Sequence, residues 1–144
     1  MNRRQLSRIV DANLNRSREG LRVCEEITRF VLEDDALTKR LKKARHAVSD
    51  TFKKTPARYL ELLSARDTRG DVGRKPSLLE KNRRDAFDLF AANIERTKES
   101  LRVLEESYKL MDGRLADRFK KMRFEVYSIE KKALPELEAL RHHG

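Results

Sequence analysis

One pattern occurs twice in this chain, in residues 12–27 and again in residues 92–107. Ala12, Asn13, Arg16, Glu19, Leu21, Arg22, Val23, Glu25 and Glu26 recur as Ala92, Asn93, Arg96, Glu99, Leu101, Arg102, Val103, Glu105 and Glu106, each 80 positions on. The match runs back to Asn2-Arg3-Arg4 against Asn82-Arg83-Arg84. After a two-residue deletion it runs forward from Leu37, Arg40, Lys42, Lys43, Arg45 and Val48 to Leu115, Arg118, Lys120, Lys121, Arg123 and Val126. A repeat of this kind marks a duplicated structural unit, here a pair of helices. The expected fold is therefore all-α: an antiparallel bundle of two helical hairpins related by a pseudo-twofold axis, joined by a short helix and a charged loop.

The faces of the repeated helix carry more information. At about 100° per residue, Ile9, Ala12, Asn13, Arg16, Gly20, Val23, Ile27 and Phe30 share one side. Asn15, Arg18, Arg22, Glu25, Glu26 and Arg29 share another, which reads as a solvated charged face. Asn13 and Arg16 thus fall among apolar and small residues, with Glu19 at the border. Asn93, Arg96 and Glu99 take the same places in the second copy. A buried cation must be paired or matched to a ligand anion. An internal Arg–Glu pair at i, i+3 is the plain reading. An anion site is the sharper one, because both copies also keep the Asn and a small residue, Gly20 or Ser100, that leaves room beside the helix.

Composition bounds the function. A chain of 144 residues is of single-domain size. Charged residues are 40% and hydrophobic ones 38%, with only five Gly and three Pro, which suits long helices with mixed-charge exteriors. The net charge of +10 favours anionic partners. Bases alternate with acids along each helix, however, and aromatics are only 6% with no Trp, so nucleic acid is disfavoured. Cys24 is the only cysteine, which excludes an intrachain disulfide and a Cys-based metal site. No apolar run approaches a membrane span and the basic N-terminus lacks a signal-peptide core, so a cytoplasmic protein is expected.

Along the chain, helices are expected over about 4–32 and 36–53, with the acidic turn Glu33-Asp34-Asp35 capping the second. A short helix over about 56–64 opens on Pro56. Residues 65–76 then break the pattern with two Gly among Asp and Arg. A mobile linker is the bland reading. The alternative is a loop that sets backbone N–H groups and Arg side chains around phosphate oxygens, with carboxylates for Mg²⁺. Ser77 to Glu80 forms a capping box for a helix to about 110, unless it breaks near Asn82. The last helix should start near 114 and kink or stop at Pro135, leaving 136–144 as a frayed extension.

Three stretches, in order, resemble one known family. They are Asp11-Ala12-Asn13-Leu14 with Arg16 and Glu19-Gly20-Leu21-Arg22-Val23, then Arg66-Asp67-Thr68 with Gly70-Asp71-Val72-Gly73, then Asn93, Arg96 and Leu101-Arg102-Val103-Leu104-Glu105-Glu106 with Arg123 and Tyr127. The chain resembles the short helical hydroxymethylpyrimidine-phosphate kinases of thiamin biosynthesis, which occur alone or fused in front of thiamin-phosphate synthase. The resemblance implies ATP-dependent conversion of 4-amino-5-hydroxymethyl-2-methylpyrimidine phosphate to its diphosphate. Asp67 and Asp71 are then the candidate catalytic and Mg²⁺-binding residues. The substrate-binding set is Asn13, Arg16, Glu19, Arg45, Arg66, Gly73, Asn93, Arg96, Glu99, Arg123 and Tyr127. Asn13 and Asn93 can donate and accept, which suits a pyrimidine amine and ring nitrogen. Thiamin-phosphate synthase and a second copy of the chain are the candidate protein partners. The rival class is a non-catalytic helical module that binds anions or docks a protein through its charged exterior.

Overall fold

The computed structural model describes residues 1–60 and 82–143. These form α1 (Arg3–Phe30), α2 (Asp35–Lys53), α3 (Ala57–Leu60), α4 (Ala86–Tyr108) and α5 (Gly113–His143), with no strand among the described residues. Local chemistry sets the starts. Asn2 and Gln5 form a reciprocal capping box on α1, and the carboxylates of Asp34 and Asp85 accept from the N–H groups of Leu37 and Asp88 to cap α2 and α4. Between α1 and α2 the chain turns with Glu33 in the left-handed region, φ 51°.

Helix α1 packs against α4 and α2, and α5 closes the bundle against the same two. Burial repeats with the sequence. Val10, Leu14, Leu21 and Cys24 are buried in α1 where Phe90, Ile94, Leu101 and Leu104 are buried in α4. Leu37, Leu41, Ala44 and Val48 match Leu115, Phe119, Met122 and Val126 in the same way. Polar contacts between described residues help tie the hairpins together. The Arg40 guanidinium of α2 donates to Glu125 of α5 at 2.5 and 3.3 Å, and Thr55, just after α2, shares a 2.6 Å hydroxyl–hydroxyl bond with the buried Tyr108 of α4.

The helix expected to about 110 does break near Asn82, as the sequence allowed: residues 82–84 are non-helical and Asp85 caps the start of α4; residues 77–80, with their capping box, lie outside the described residues. Two expectations change. Pro135 does not end α5, which continues to His143. A helix-interior proline costs about 3 kcal/mol. Here Ala133 and Leu137 are buried on either side of it, and Arg141 fastens the last turns to Asp85 and Asp88 at the start of α4. Residues 136–143 are therefore packed helix, not a frayed extension. No helix among the described residues is long and apolar enough to cross a membrane.

Candidate functional site

The two copies of the repeated helix pack directly on each other. Cys24 Sγ lies 3.7 Å from the carbonyl oxygen of Phe90, and a Cβ built on Gly20 falls 2.3 Å from Thr97 Oγ1 and 2.9 Å from the Asn93 carbonyl oxygen. As α1 advances from 20 to 24 its neighbours on α4 fall from 97 to 90, so the helices are antiparallel. Ser17, Gly20, Thr97 and Ser100, all small and buried, let the backbones approach closely. Continuing the register brings Asn13 level with Ser100, as Gly20 is level with Asn93.

The inward side of α1 is not the side that spacing alone suggests. Leu6, Val10, Leu14, Leu21, Cys24 and Thr28 face the core, and the strip through Ile9, Asn13, Arg16 and Gly20 is its border, where α1 meets α4 on the side away from α2. Arg16, Glu19, Arg96 and Glu99 are therefore exposed, whereas Asn13 is buried and Asn93 half-buried. Ile9 and Phe30 are apolar but exposed, at 38% and 63%, so counting them as core rotates the expected face outward. None of the four exposed charges has an ion-pair partner among the described residues, which removes the internal Arg–Glu pair as their explanation.

Glu25, expected on the solvated face, is buried. Its carboxylate accepts from Arg45 of α2 at 2.9 and 3.3 Å. In the second repeat Glu105 accepts from Arg123 of α5 at 3.1 and 3.0 Å. Arg45 and Arg123, two of the candidate phosphate ligands, are thus held in matched pairs inside their own hairpins. The sequence carries the signal: acid and base recur together, one on each arm of both hairpins. Tyr127, 43% exposed, lies beside Arg123 on the α4–α5 face, with the Lys98 ammonium 4.8 Å from its ring centre. Sequence reasoning missed this Lys98, which joins Glu95 at 2.7 Å and Glu130 at 2.9 Å.

The structure therefore sorts the candidates into two groups. Asn13, Arg16, Glu19, Asn93, Arg96 and Glu99 flank the α1–α4 groove, while Arg45, Arg123 and Tyr127 belong to the outer hairpin faces. Arg66, Asp67, Asp71 and Gly73 lie outside the described residues. No cluster of three or more His, Cys, Asp or Glu side chains able to hold a metal occurs among the described residues.

Within the groove the two Asn side chains adopt one geometry. Asn13 Nδ2 donates to the Ile9 carbonyl and Asn93 Nδ2 to the Leu89 carbonyl, each at 2.8 Å. A carbonyl only accepts, so this bond fixes which end of each amide is nitrogen. The only buried side-chain N or O atom without a partner among the described residues is Asn15 Nδ2. The Oδ1 atoms of Asn13 and Asn93 accept no bond from these residues, so neither is sealed from solvent. The α1–α4 seam thus carries two amide acceptors without a partner among the described residues and two exposed guanidinium groups, arranged in duplicate.

Comparison with known proteins places both repeats within one family match. The ThiD2 family model matches residues 8–132. The chain is 43% identical over 126 residues to a thiamine-phosphate synthase of Synechocystis sp., covering 87% of this chain and 35% of that protein. A thiamine-phosphate synthase of Rhodopirellula baltica is 40% identical over 126 residues, covering 87% and 33%. The chain spans about a third of the length of these relatives. No solved structure matches. A match over residues 8–132 takes in both repeats and everything between them, and on that extent the chain is a member of the ThiD2 family.

Proposed function

We propose that the chain is a kinase of thiamin biosynthesis that transfers the γ-phosphoryl group of ATP to hydroxymethylpyrimidine phosphate, with the α1–α4 groove as its ligand site. The observation that carries this reading is the duplicated Asn–Arg set. Each copy carries an amide oxygen without a partner among the described residues and, three positions on, an exposed arginine without an ion-pair partner among them. Two ligands that each pair a nitrogen heterocycle with phosphate suit two such half-sites. The curated relatives are named for making thiamine phosphate, and the third of their length that this chain matches would be the part that activates the pyrimidine.

The chemistry asks little of the protein beyond charge and position. The acceptor is a phosphate oxygen of the monophosphate, whose second ionisation lies near pH 6. It is already a dianion at neutral pH and needs no general base. The P–O bond forms to that oxygen, the bond from the γ-phosphorus to the bridging oxygen breaks, and ADP leaves with the electron pair. Arg16 and Arg96 would draw the two polyanions together by offsetting their repulsion. Mg²⁺ is ordinarily held by one or two carboxylates plus substrate phosphates, so it requires no preformed cage; Glu19, Glu99, Asp67 and Asp71 are the carboxylates on offer. When bound, it neutralises charge on the transferring phosphoryl oxygens.

Kinetics of Arg16→Ala and Arg96→Ala test the reading. Each residue is exposed, so both variants should fold and melt like the parent. At least one should lose about 10²-fold or more in kcat/KM, the scale of one charge-assisted phosphate contact of up to about 3 kcal/mol. Unchanged kcat/KM in both variants would place the phosphate site elsewhere.

A further inference from the structure

The two groove asparagines are more alike than a general polar lining requires. Each commits one N–H to its own helix, at the carbonyl four residues back and at the same 2.8 Å. That bond fixes the nitrogen end of the amide, and the acceptor Oδ1 is left without a partner among the described residues in both copies. Gly20 and Ser100, both small and buried, bring the two helices close enough to set both amides along one seam. The same recognition element is therefore built twice, and it asks for a hydrogen-bond donor.

We infer that both half-sites recognise one chemical fragment, an amino group on a six-membered ring beside a ring nitrogen, so that Asn13 and Asn93 select an aminopyrimidine at one end and adenine at the other. The inference rests on the proposed kinase reading for the identity of the two ligands. Its physical content is independent of that reading: a fixed acceptor pairs with an exocyclic amine and opposes an oxo group. Adenine contains the 4-aminopyrimidine ring within its own fused system, so a duplicated site serves both ligands without two separate inventions. Arg16 and Arg96, one turn further along each helix, would then meet the phosphates that both ligands carry. A 6-oxo purine sets acceptor against acceptor, and a purine lacking the 6-substituent leaves Oδ1 unpaired.

Equilibrium binding of AMP, inosine 5′-monophosphate and purine-riboside 5′-monophosphate to the unmodified protein is the first test. AMP should bind about 10- to 100-fold more tightly than the oxo analogue, the cost of one opposed and desolvated hydrogen bond. The purine-riboside analogue should fall between them. The second test compares ATP with GTP as phosphoryl donor for Asn13→Ala and Asn93→Ala. One variant should lose the preference for ATP with KM for the pyrimidine phosphate unchanged, and the other should raise that KM and keep the preference. Equal binding of AMP and the oxo analogue overturns the inference, even if phosphoryl transfer to the pyrimidine phosphate is found. Absence of that transfer, with the AMP preference intact, would sink the kinase reading and leave the amine recognition standing. If an Asn variant fails to fold, the ligand series on the unmodified protein still decides.

Discussion

Glu105 is buried in α4, with its carboxylate against the Arg123 guanidinium at 3.0 and 3.1 Å. The side chains are only 6% and 12% exposed. Solvent therefore screens the pair weakly, and removing one partner strands the other. Glu105→Ala should destabilise the fold by about 3–5 kcal/mol, the usual cost of an orphaned buried charge, readable as a shift in the urea midpoint. Glu106→Ala, one residue on, should move it by less than about 1 kcal/mol, because its pairs with Arg102 and Lys109 are exposed. Equal effects would mean that burial does not govern this pair. Cys24 follows the same logic. Burial, and secondarily the charge of Glu130, push its thiol well above the ordinary range, consistent with a core residue and not a nucleophile.

At the scale of the element, α5 shows how a helix survives a proline near its end. Arg141 donates to Asp85 at 2.7 and 3.1 Å and to Asp88 at 2.6 Å, and its guanidinium lies 4.1 Å from the Phe87 ring centre. The hydrogen bond from Arg84, joined by the Arg141 charge, holds the Asp88 carboxyl down at about 2, and Arg141 lowers Asp85. A carboxyl depressed in the folded state stabilises above its unfolded pKa of about 3.9 and loses that contribution as pH falls through the folded value. The last turns of α5 should therefore loosen between about pH 4 and pH 2. Hydrogen exchange of the amides over 136–143 should show it, and Arg141→Ala should exchange fast already at about pH 7. Protection that stays flat through this window in the parent chain would mean that Ala133 and Leu137 hold the helix unaided.

At the scale of the molecule, the contact between hairpins is set by the α1–α4 crossing. A methyl group at Gly20 would fall 2.9 Å from a backbone oxygen and 2.3 Å from Thr97 Oγ1. Thr97 can rotate, but the Asn93 carbonyl cannot leave without moving α4. Ala gains about 1 kcal/mol over Gly in helix propensity, and overpacking costs about 1–3 kcal/mol. Gly20→Ala should thus destabilise on balance and displace Asn93, weakening ligand binding at that half-site more than at Asn13. A more stable variant with unchanged affinity would show that the crossing is loose enough to absorb a methyl group.

Much of this was legible in the chain itself. The repeat predicted two hairpins with matched burial, because identical apolar spacing presents identical faces, and Leu14 with Ile94 or Leu41 with Phe119 follow it. The Asp34 cap did not need tertiary context either: it is a local signal read by the Leu37 N–H within one turn. The angular position of the core on α1 was not legible, because Ile9 and Phe30 are as apolar as Leu14 until a neighbouring helix buries one and leaves the others in water. Nor was the fate of Glu25, whose burial is tolerated only because Arg45 arrives from another helix. Pro135 made the same point in reverse, since a local breaker was overruled by Arg141 and Leu137 acting through α4 and the core. Neighbours within about four positions settle that α1 and α2 are helical, which stretches are duplicated and where the first hairpin turns, so these were readable from the chain alone. Which charges pair with each other and which, like Arg16 and Arg96, stay exposed without a partner among the described residues depended on the tertiary fold, because partners come together from opposite ends of the chain.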